Sequence, residues 1–177
     1  MLNQFSESIQ RMDNEAINNA QQDADDAGSK SVRSLQLLRA GSFQFGIFAD
    51  EIASVVGWRE PTPLPYAPQT VLGVLSIQGR MLTVLDLARL RGLEGVLSDR
   101  AAQNIVALRG DEQLALAVDA SGETIQLAGA DLDEAEKTRE PLVPGVLHRE
   151  GIDIYLLNVK EVFPTAIQGH ERRRRRF

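Results

Sequence analysis

Residues 71–90 read VLGVLSIQGRMLTVLDLARL, and an altered copy, PGVLHREGIDIYLLNVKEV, follows at residues 144–162. The two copies align without a gap, and Gly79 of the first falls on Gly151 of the second, 72 residues later. Self-similarity at a fixed spacing indicates that one structural unit is used twice. We therefore interpret the chain as two related halves, each of which closes with one of these copies.

Each copy predicts a β-hairpin followed by a short helix. An apolar run, a two-residue turn that ends in glycine and a second apolar run are typical of a tight hairpin, because glycine readily adopts a positive φ. The turns are residues 78–79 and 150–151. Each second run ends in a residue that can cap a helix, Asp86 or Asn158. We interpret Asp86 as a helix cap rather than as a catalytic carboxylate.

The composition indicates an acidic body. The formal net charge of the 177 residues is −6, and because residues 172–176 are five arginines, the remainder carries −11. Such a charge disfavours nucleic acid as a ligand of the body. The chain has no cysteine and two histidines, His148 and His170, which excludes disulfides, thiol catalysis and sulfur-ligated metals. Since no segment resembles a signal peptide or a membrane span, we expect a cytoplasmic protein.

We predict a polar extension over residues 1–32, a folded domain over residues 33–164 and a basic tail over residues 165–177. Apolar residues in the extension recur every three or four positions, which predicts either a docking or coiled-coil helix or a marginal extension with incidental periodicity. An acidic linker follows at residues 23–31. The arginines of the tail suit an anionic membrane surface or nucleic acid, and equally a solvated end that folds back on the acidic body.

The first half of the folded domain reads as short strands. Strands are predicted over residues 35–38, 43–48 and 52–58, and alternate residues of the second strand share one face. Residues 61–68 contain four prolines and cannot join a sheet interior, so they form a connector. Trp58 beside these prolines either lines a peptide groove or plugs the core or an edge, and we favour the plug.

The second half repeats this plan. Strands are predicted over residues 104–108, 113–119 and 122–127. Four carboxylates within residues 131–136 could attract a cation, but they lack ligand geometry, and we expect a solvated loop. His148 follows the apolar residues Val146 and Leu147 and is interpreted as a packed side chain. Two sets of roughly five short strands indicate an all-β protein made of two small barrels, which bind partners in the groove between them or on an exposed sheet face.

Several segments occur together in the order and spacing of a known family. They are GSFQFGI at residues 41–47, LPYAPQTVLGV at 64–74, TVLDL at 83–87, VD at 118–119, GVL at 145–147 and LLN at 156–158. With them the chain resembles the CheW family of chemotaxis coupling proteins over about residues 33–164. The resemblance implies two SH3-like five-stranded β-barrel subdomains with short helices, beside the candidate helix of the N-terminal extension.

The resemblance also implies a function. Members of the family are adaptors without catalysis, cofactor or metal, which link the cytoplasmic tip of a chemoreceptor (a methyl-accepting chemotaxis protein) to a CheA-type histidine kinase. We therefore expect recruitment to receptor arrays at the inner face of the membrane. The kinase's homologous regulatory domain packs against barrel surface, and the receptor lies near the groove between barrels. The family's receptor contacts match five positions here: Val55, Gly57, Gln78, Ile105 and Thr124.

Two of these positions depart from the family pattern. The family usually carries a glutamate at the position of Gly57 and an arginine at the position of Gln78, so both members of an ion pair are absent together. Because no unpaired buried charge remains, we expect the fold to survive. The departure indicates a divergent receptor or a chemosensory pathway other than flagellar chemotaxis.

Two other classes of function are weighed against the adaptor. The first is a regulatory CheW-like scaffold for motility, pili or localisation, which binds a non-receptor partner through its termini. The second is an enzyme. The chain contains no Gly-x-Ser-x-Gly elbow, no His-Glu-x-x-His helix and no complete phosphate loop, so we expect no catalytic activity.

Overall fold

The computed structural model describes residues 32–93 and 102–167. The predicted N-terminal helix, the acidic linker and the arginine run fall outside these residues. The described part contains eleven strands: β1 (Arg33–Ala40), β2 (Phe43–Phe48), β3 (Ile52–Gly57), β4 (Val71–Ile77), β5 (Arg80–Asp86), β6 (Asn104–Leu108), β7 (Leu114–Val118), β8 (Ala120–Leu127), β9 (Glu136–Glu140), β10 (Val143–Arg149) and β11 (Ile152–Leu156).

The helices of the described residues are short. They are α1 (Leu87–Leu90), α2 (Gly129–Asp133), α3 (residues 162–167) and two 3-10 turns at Ala49–Glu51 and Val159–Glu161. Both predicted caps are confirmed. The Asp86 carboxylate accepts a hydrogen bond from the Arg89 amide at 3.1 Å, and the Asn158 side chain accepts one from the Lys160 amide at 3.2 Å. In this part of the chain no helix is long and apolar enough to cross a bilayer.

The two predicted hairpins form with the same turn geometry. Gln78 and Gly79 have φ of 50° and 79°, and Glu150 and Gly151 have φ of 52° and 78°. Two consecutive positive φ values define the turn whose twist suits a two-residue hairpin. The repeated sequence therefore specifies a repeated backbone conformation, although the first turn residue is not glycine in either copy.

The strands form two sheets, and each sheet contains strands from both halves of the sequence. We call this arrangement the strand exchange. One sheet has the order β8-β1-β2-β11-β10-β9, and the other has the order β3-β6-β7-β5-β4. The two halves meet at two antiparallel pairs, β1–β8 and β3–β6, and at two parallel pairs. In the parallel pairs Tyr155 of β11 lies opposite Phe45 of β2, and Leu85 of β5 lies opposite Leu116 of β7. The fold confirms the prediction of an all-β protein with two SH3-like subdomains. Each subdomain, however, is built from both halves of the sequence.

Apolar side chains form three clusters. One lies on the six-stranded sheet around Leu35 and Ile154, and a second lies on the five-stranded sheet around Ile77 and Ile105. The third and largest draws on both sheets and includes Phe45. Alternate residues of β2 and β7 therefore reach different clusters, because successive side chains of a strand point to opposite faces. Among the described residues, the space between the two sheets is thus filled by apolar side chains.

The proline-rich connector is fixed by one close approach. The Thr62 amide donates to the Val74 carbonyl at 2.8 Å, and the Val74 amide donates back to Thr62 at 2.9 Å. Between them, Gly73 has φ 149°, and a Cβ added there would lie 2.2 Å from the Thr62 carbonyl oxygen. Only glycine permits this approach. The connector therefore makes one β-bridge, while its remaining residues stay outside the sheet as predicted.

Four expectations need correction. The six-stranded sheet includes a strand that was not predicted, β9. Residues 131–136 contribute to α2 and β9 rather than to a loop. Within them the Asp131 carboxylate caps α2 by accepting a hydrogen bond from the Ala128 amide at 2.7 Å. Strand β3 ends at Gly57. Trp58 follows at the sheet edge, partly exposed, with its amide bonded to the Gln103 carbonyl. Residues 165–167 belong to the body rather than to the tail, because Ala166 of α3 is buried in the shared core.

Candidate protein-interaction surface

Strand β3 presents an outward-facing edge. It is the end strand of the five-stranded sheet, and its residues alternate between half-buried and exposed along the chain. Val55 is 41% exposed, and a Cβ added at Gly57 would meet no atom within 4 Å. The two positions therefore lie on the same side of β3, and both are open to a partner. A glutamate would fit at position 57 without a clash.

This edge adjoins the other subdomain. Gly57 lies opposite Asn104 in the β3–β6 pair, and the Asn104 side-chain oxygen accepts a hydrogen bond from the Ser121 amide of β8 at 3.2 Å. Strand β8 belongs to the six-stranded sheet. Asn104 thus ties the exposed end of β3 to the edge of the second sheet. A partner that covers Gly57 lies next to both subdomains.

A glutamine network orders the β8 side of this junction. Gln36 donates through Nε2 to the Gly122 carbonyl at 2.7 Å and to Ser121 Oγ at 3.2 Å, and its Oε1 accepts from Thr124 Oγ1 at 2.8 Å. Thr124 is exposed, and its hydroxyl is held by Gln36. The network fixes both polar side chains without any charge.

We call the surface formed by Val55, Gly57, Asn104, Ser121 and Thr124 the junction strip. None of its five side chains is ionisable. The cores of protein interfaces are depleted in charged residues, whereas nucleic-acid surfaces are strongly basic. The junction strip therefore has the chemistry of a protein contact.

The remaining two predicted contact residues lie elsewhere. Ile105 is fully buried in the core of the five-stranded sheet, opposite Val56, so it supports β3 from beneath and offers no surface. Gln78 lies exposed in the β4–β5 turn, and the neighbouring Arg80 donates to the Gly110 carbonyl at 3.2 Å. Among the described residues no hydrogen bond joins Gln78 to the junction strip.

His148 is exposed, contrary to the prediction that it packs into the core. Its Nδ1 lies 2.6 Å from Asp153 Oδ1, and its Nε2 lies 3.2 Å from Glu136 Oε2. The hydrogen bond to Asp153, followed by the one to Glu136, raises the pKa of His148 above its ordinary value. The prediction was wrong because β10 is buried on one face only, and position 148 falls on the other. Through these two contacts, His148 of β10 joins Asp153 of β11 and Glu136 of β9 across the surface.

The sequence interpretation also missed two exposed apolar residues on α3. Val162 and Ala166 are buried in the shared core, whereas Phe163 and Ile167 are 44% and 45% exposed. The signal in the sequence is two apolar pairs spaced by four residues, Val162 with Ala166 and Phe163 with Ile167. A helix at the surface of a domain buries one such row more readily than two.

Comparison with known proteins gives a consistent result. The model of the CheW-like domain family matches residues 34–166. The chain is 29% identical to the chemotaxis protein CheW of Rhizobium meliloti over 137 residues, which cover 75% of this chain and 88% of the relative. It is 30% identical to a probable chemotaxis protein CheW of Rhizobium etli over 74 residues, which cover 42% of this chain and 46% of that protein.

A solved structure shares the fold. The scaffolding protein TtCheW from Thermoanaerobacter tengcongensis superposes with a TM-score of 0.65 at 18% identity, covering 75% of this chain and 93% of that one. The fold and the family model therefore lead to the same family. The chain belongs to the CheW-like domain family.

Proposed function

We propose that the protein is a non-catalytic adaptor of a chemosensory pathway, which couples a chemoreceptor tip to a CheA-type histidine kinase in the cytoplasm. The observation that carries the proposal is the junction strip, an uncharged surface fixed by hydrogen bonds where the two subdomains meet. Family membership supports it, since CheW proteins are scaffolds rather than enzymes. The function requires two separate protein surfaces and no reactive group.

The junction strip is the proposed receptor site. A receptor tip is a helical hairpin, and Val55 and Gly57 give it an apolar, unobstructed ledge on β3, which Asn104 connects to β8, the strand of Thr124. Ile105 contributes indirectly, because it packs beneath β3 and holds the ledge in place. Since Gly57 is uncharged, the receptor for this protein needs no complementary charge at this position.

The proposed kinase site lies at the hairpin tips. Met81 and Ile152 are 55% and 50% exposed, and each follows a two-residue turn of the repeated unit. Exposed apolar side chains at the end of a barrel suit the packing of a second barrel, which is the form of the kinase's regulatory domain that the family resemblance implies. Neither Met81 nor Ile152 belongs to the junction strip, so the two proposed sites share no residue.

Affinity capture from a lysate of cells that make the protein tests the proposal. The intact protein and a fragment of residues 32–167 serve as baits, and mass spectrometry identifies the captured proteins. We expect both baits to recover a chemoreceptor and a histidine kinase. Capture of other proteins by the intact chain alone would instead support the regulatory scaffold that acts through its termini.

Substitutions assign the two surfaces. We expect Val55→Asp to lose the receptor and keep the kinase, and Met81→Asp to do the reverse. Val32→Asp, at another exposed valine, is the matched control and keeps both partners. Gly57→Glu introduces the family's glutamate into the junction strip, and a change in which receptors are captured is expected if the strip sets receptor choice.

A further inference from the structure

Helix α3 carries an apolar ridge that faces away from the body. Val162 and Ala166 anchor the helix in the shared core, and the Thr70 hydroxyl donates to the Ala166 carbonyl at 3.5 Å. Phe163 and Ile167, one position further along in each case, are 44% and 45% exposed. Residues spaced by four lie above one another on a helix, so the two side chains form one continuous ridge.

The sequence that follows this ridge is strongly basic. Residues 172–176 are five consecutive arginines, and they begin five residues after Ile167. Everything outside this run carries a formal charge of −11, so the run is the cationic exception in an acidic chain. Neither the proposed receptor site nor the proposed kinase site uses the ridge or the arginines.

We propose that the Phe163–Ile167 ridge and the arginine run together bind an anionic lipid surface. A membrane interface offers anionic headgroups for arginine and an apolar boundary a few ångströms deeper for Phe163 and Ile167. Nucleic acid offers phosphates but leaves the ridge in water. The acidic body of the chain would likewise pair with the arginines and leave the ridge exposed, so the bilayer is the occupant that satisfies both features.

The mode of binding is peripheral. A few basic residues or a short apolar patch alone bind a membrane weakly, and stable attachment takes two signals. The ridge supplies the apolar signal and the arginines supply the electrostatic one. This attachment would hold the adaptor at the membrane in the absence of receptor. It is independent of the adaptor proposal, because it requires neither receptor nor kinase.

Vesicle flotation with the intact protein tests the inference. Vesicles of phosphatidylcholine with phosphatidylserine are compared with vesicles of phosphatidylcholine alone, and neither contains protein. We expect binding to the anionic vesicles only. At about fivefold per arginine near the surface, changing residues 172–176 to glutamine lowers binding by at least about a hundredfold. Phe163→Ser with Ile167→Ser at unchanged charge lowers it by about tenfold.

Two controls separate specific binding from general effects. Val32→Ser with Leu64→Ser removes exposed apolar residues elsewhere and is expected to bind vesicles like the wild type. In a Trp58→Phe background, Phe163→Trp reports insertion directly, because its emission shifts to the blue when the indole leaves water. Ile152→Trp in the same background is expected to show no shift.

Three results would overturn the inference. The first is equal binding to vesicles with and without phosphatidylserine. The second is full binding by the folded Phe163→Ser, Ile167→Ser protein together with no emission shift at Phe163→Trp. The third is a preference for RNA over anionic vesicles at the same phosphate concentration, which would assign the arginines to nucleic acid.

Discussion

Phe45 of β2 and Tyr155 of β11 lie opposite each other in a parallel strand pair, with ring centroids 5.8 Å apart. The first belongs to the first half of the sequence and the second to the repeated unit at its end. Their strands join β8-β1-β2 to β11-β10-β9 in the middle of the six-stranded sheet, which neither half can form alone. Leu85 and Leu116 make the corresponding parallel pair in the five-stranded sheet.

This strand exchange predicts that the halves do not fold separately. A fragment of residues 32–93 lacks β6 and β7, the two strands that lie between β3 and β5 in the five-stranded sheet. We expect each fragment alone to show no cooperative thermal transition by circular dichroism, and an equimolar mixture of residues 32–93 and 102–167 to regain one. A cooperative transition in either isolated fragment would mean that the halves are independent subdomains.

Gly73 is expected to be intolerant of a side chain. Its φ of 149° is strained for other residues, and a Cβ would overlap the Thr62 carbonyl. We expect Gly73→Ala to lower the free energy of unfolding by at least about 2 kcal/mol in urea denaturation. Gly57→Ala is the matched control, because a Cβ there meets nothing and is expected to change stability by less than about 0.5 kcal/mol. Equal losses would show that the Thr62–Val74 bridge is not rigid.

Ile105 and Val55 are expected to separate stability from binding. Truncating the fully buried Ile105 leaves a cavity, so Ile105→Ala should lower the free energy of unfolding by about 2 to 5 kcal/mol. Val55→Ala removes a partly exposed side chain and should cost less than about 1 kcal/mol while weakening receptor binding. Denaturation and receptor titration on the same proteins measure both. A stable Ile105→Ala protein that binds poorly would place Ile105 in direct contact with the receptor.

His148 is expected to make stability depend on pH. Because Asp153 and Glu136 raise its pKa in the folded protein, the charged imidazole is favoured by folding. This stabilisation is complete below the ordinary histidine pKa of about 6.5 and is lost as the pH rises through the raised value. We expect the melting temperature of wild type to exceed that of His148→Gln at low pH and to converge with it above that window.

Salt is the control for the histidine effect. The three side chains are exposed, so the difference between wild type and His148→Gln should shrink as ionic strength rises. Asp153→Asn should shrink it as well, since Asp153 makes the shorter contact. A difference in melting temperature that stays constant with pH would show that His148 acts through packing alone.

Local signals in the sequence predicted the elements well. Glycine in a two-residue turn, the caps Asp86 and Asn158, and the alternation in β2 and β7 each depend on neighbouring residues, and the structure reproduces them. The repeat correctly indicated two subdomains. It did not indicate the exchange of strands, because strand pairing between residues as distant as Phe45 and Tyr155 leaves no mark in a local pattern.

The surface was harder to predict for the same reason. Val55 looked like any strand residue until the sheet order made β3 an end strand, and Asn104 gained its role only from a contact with Ser121. His148 was misjudged because apolar neighbours in a strand point to the opposite face. Strand β9 was missed because its sequence, EKTRE, is fully polar and pairs at a sheet edge.

A sedimentation assay with purified components tests whether this protein joins a receptor to a kinase. The receptor's cytoplasmic fragment is displayed on phosphatidylcholine vesicles, which lack anionic lipid, and the kinase is added with or without this protein. We predict that the kinase sediments with the vesicles only when the protein is present, and that Val55→Asp abolishes its recruitment. Equal sedimentation of the kinase with and without the protein would contradict the adaptor function.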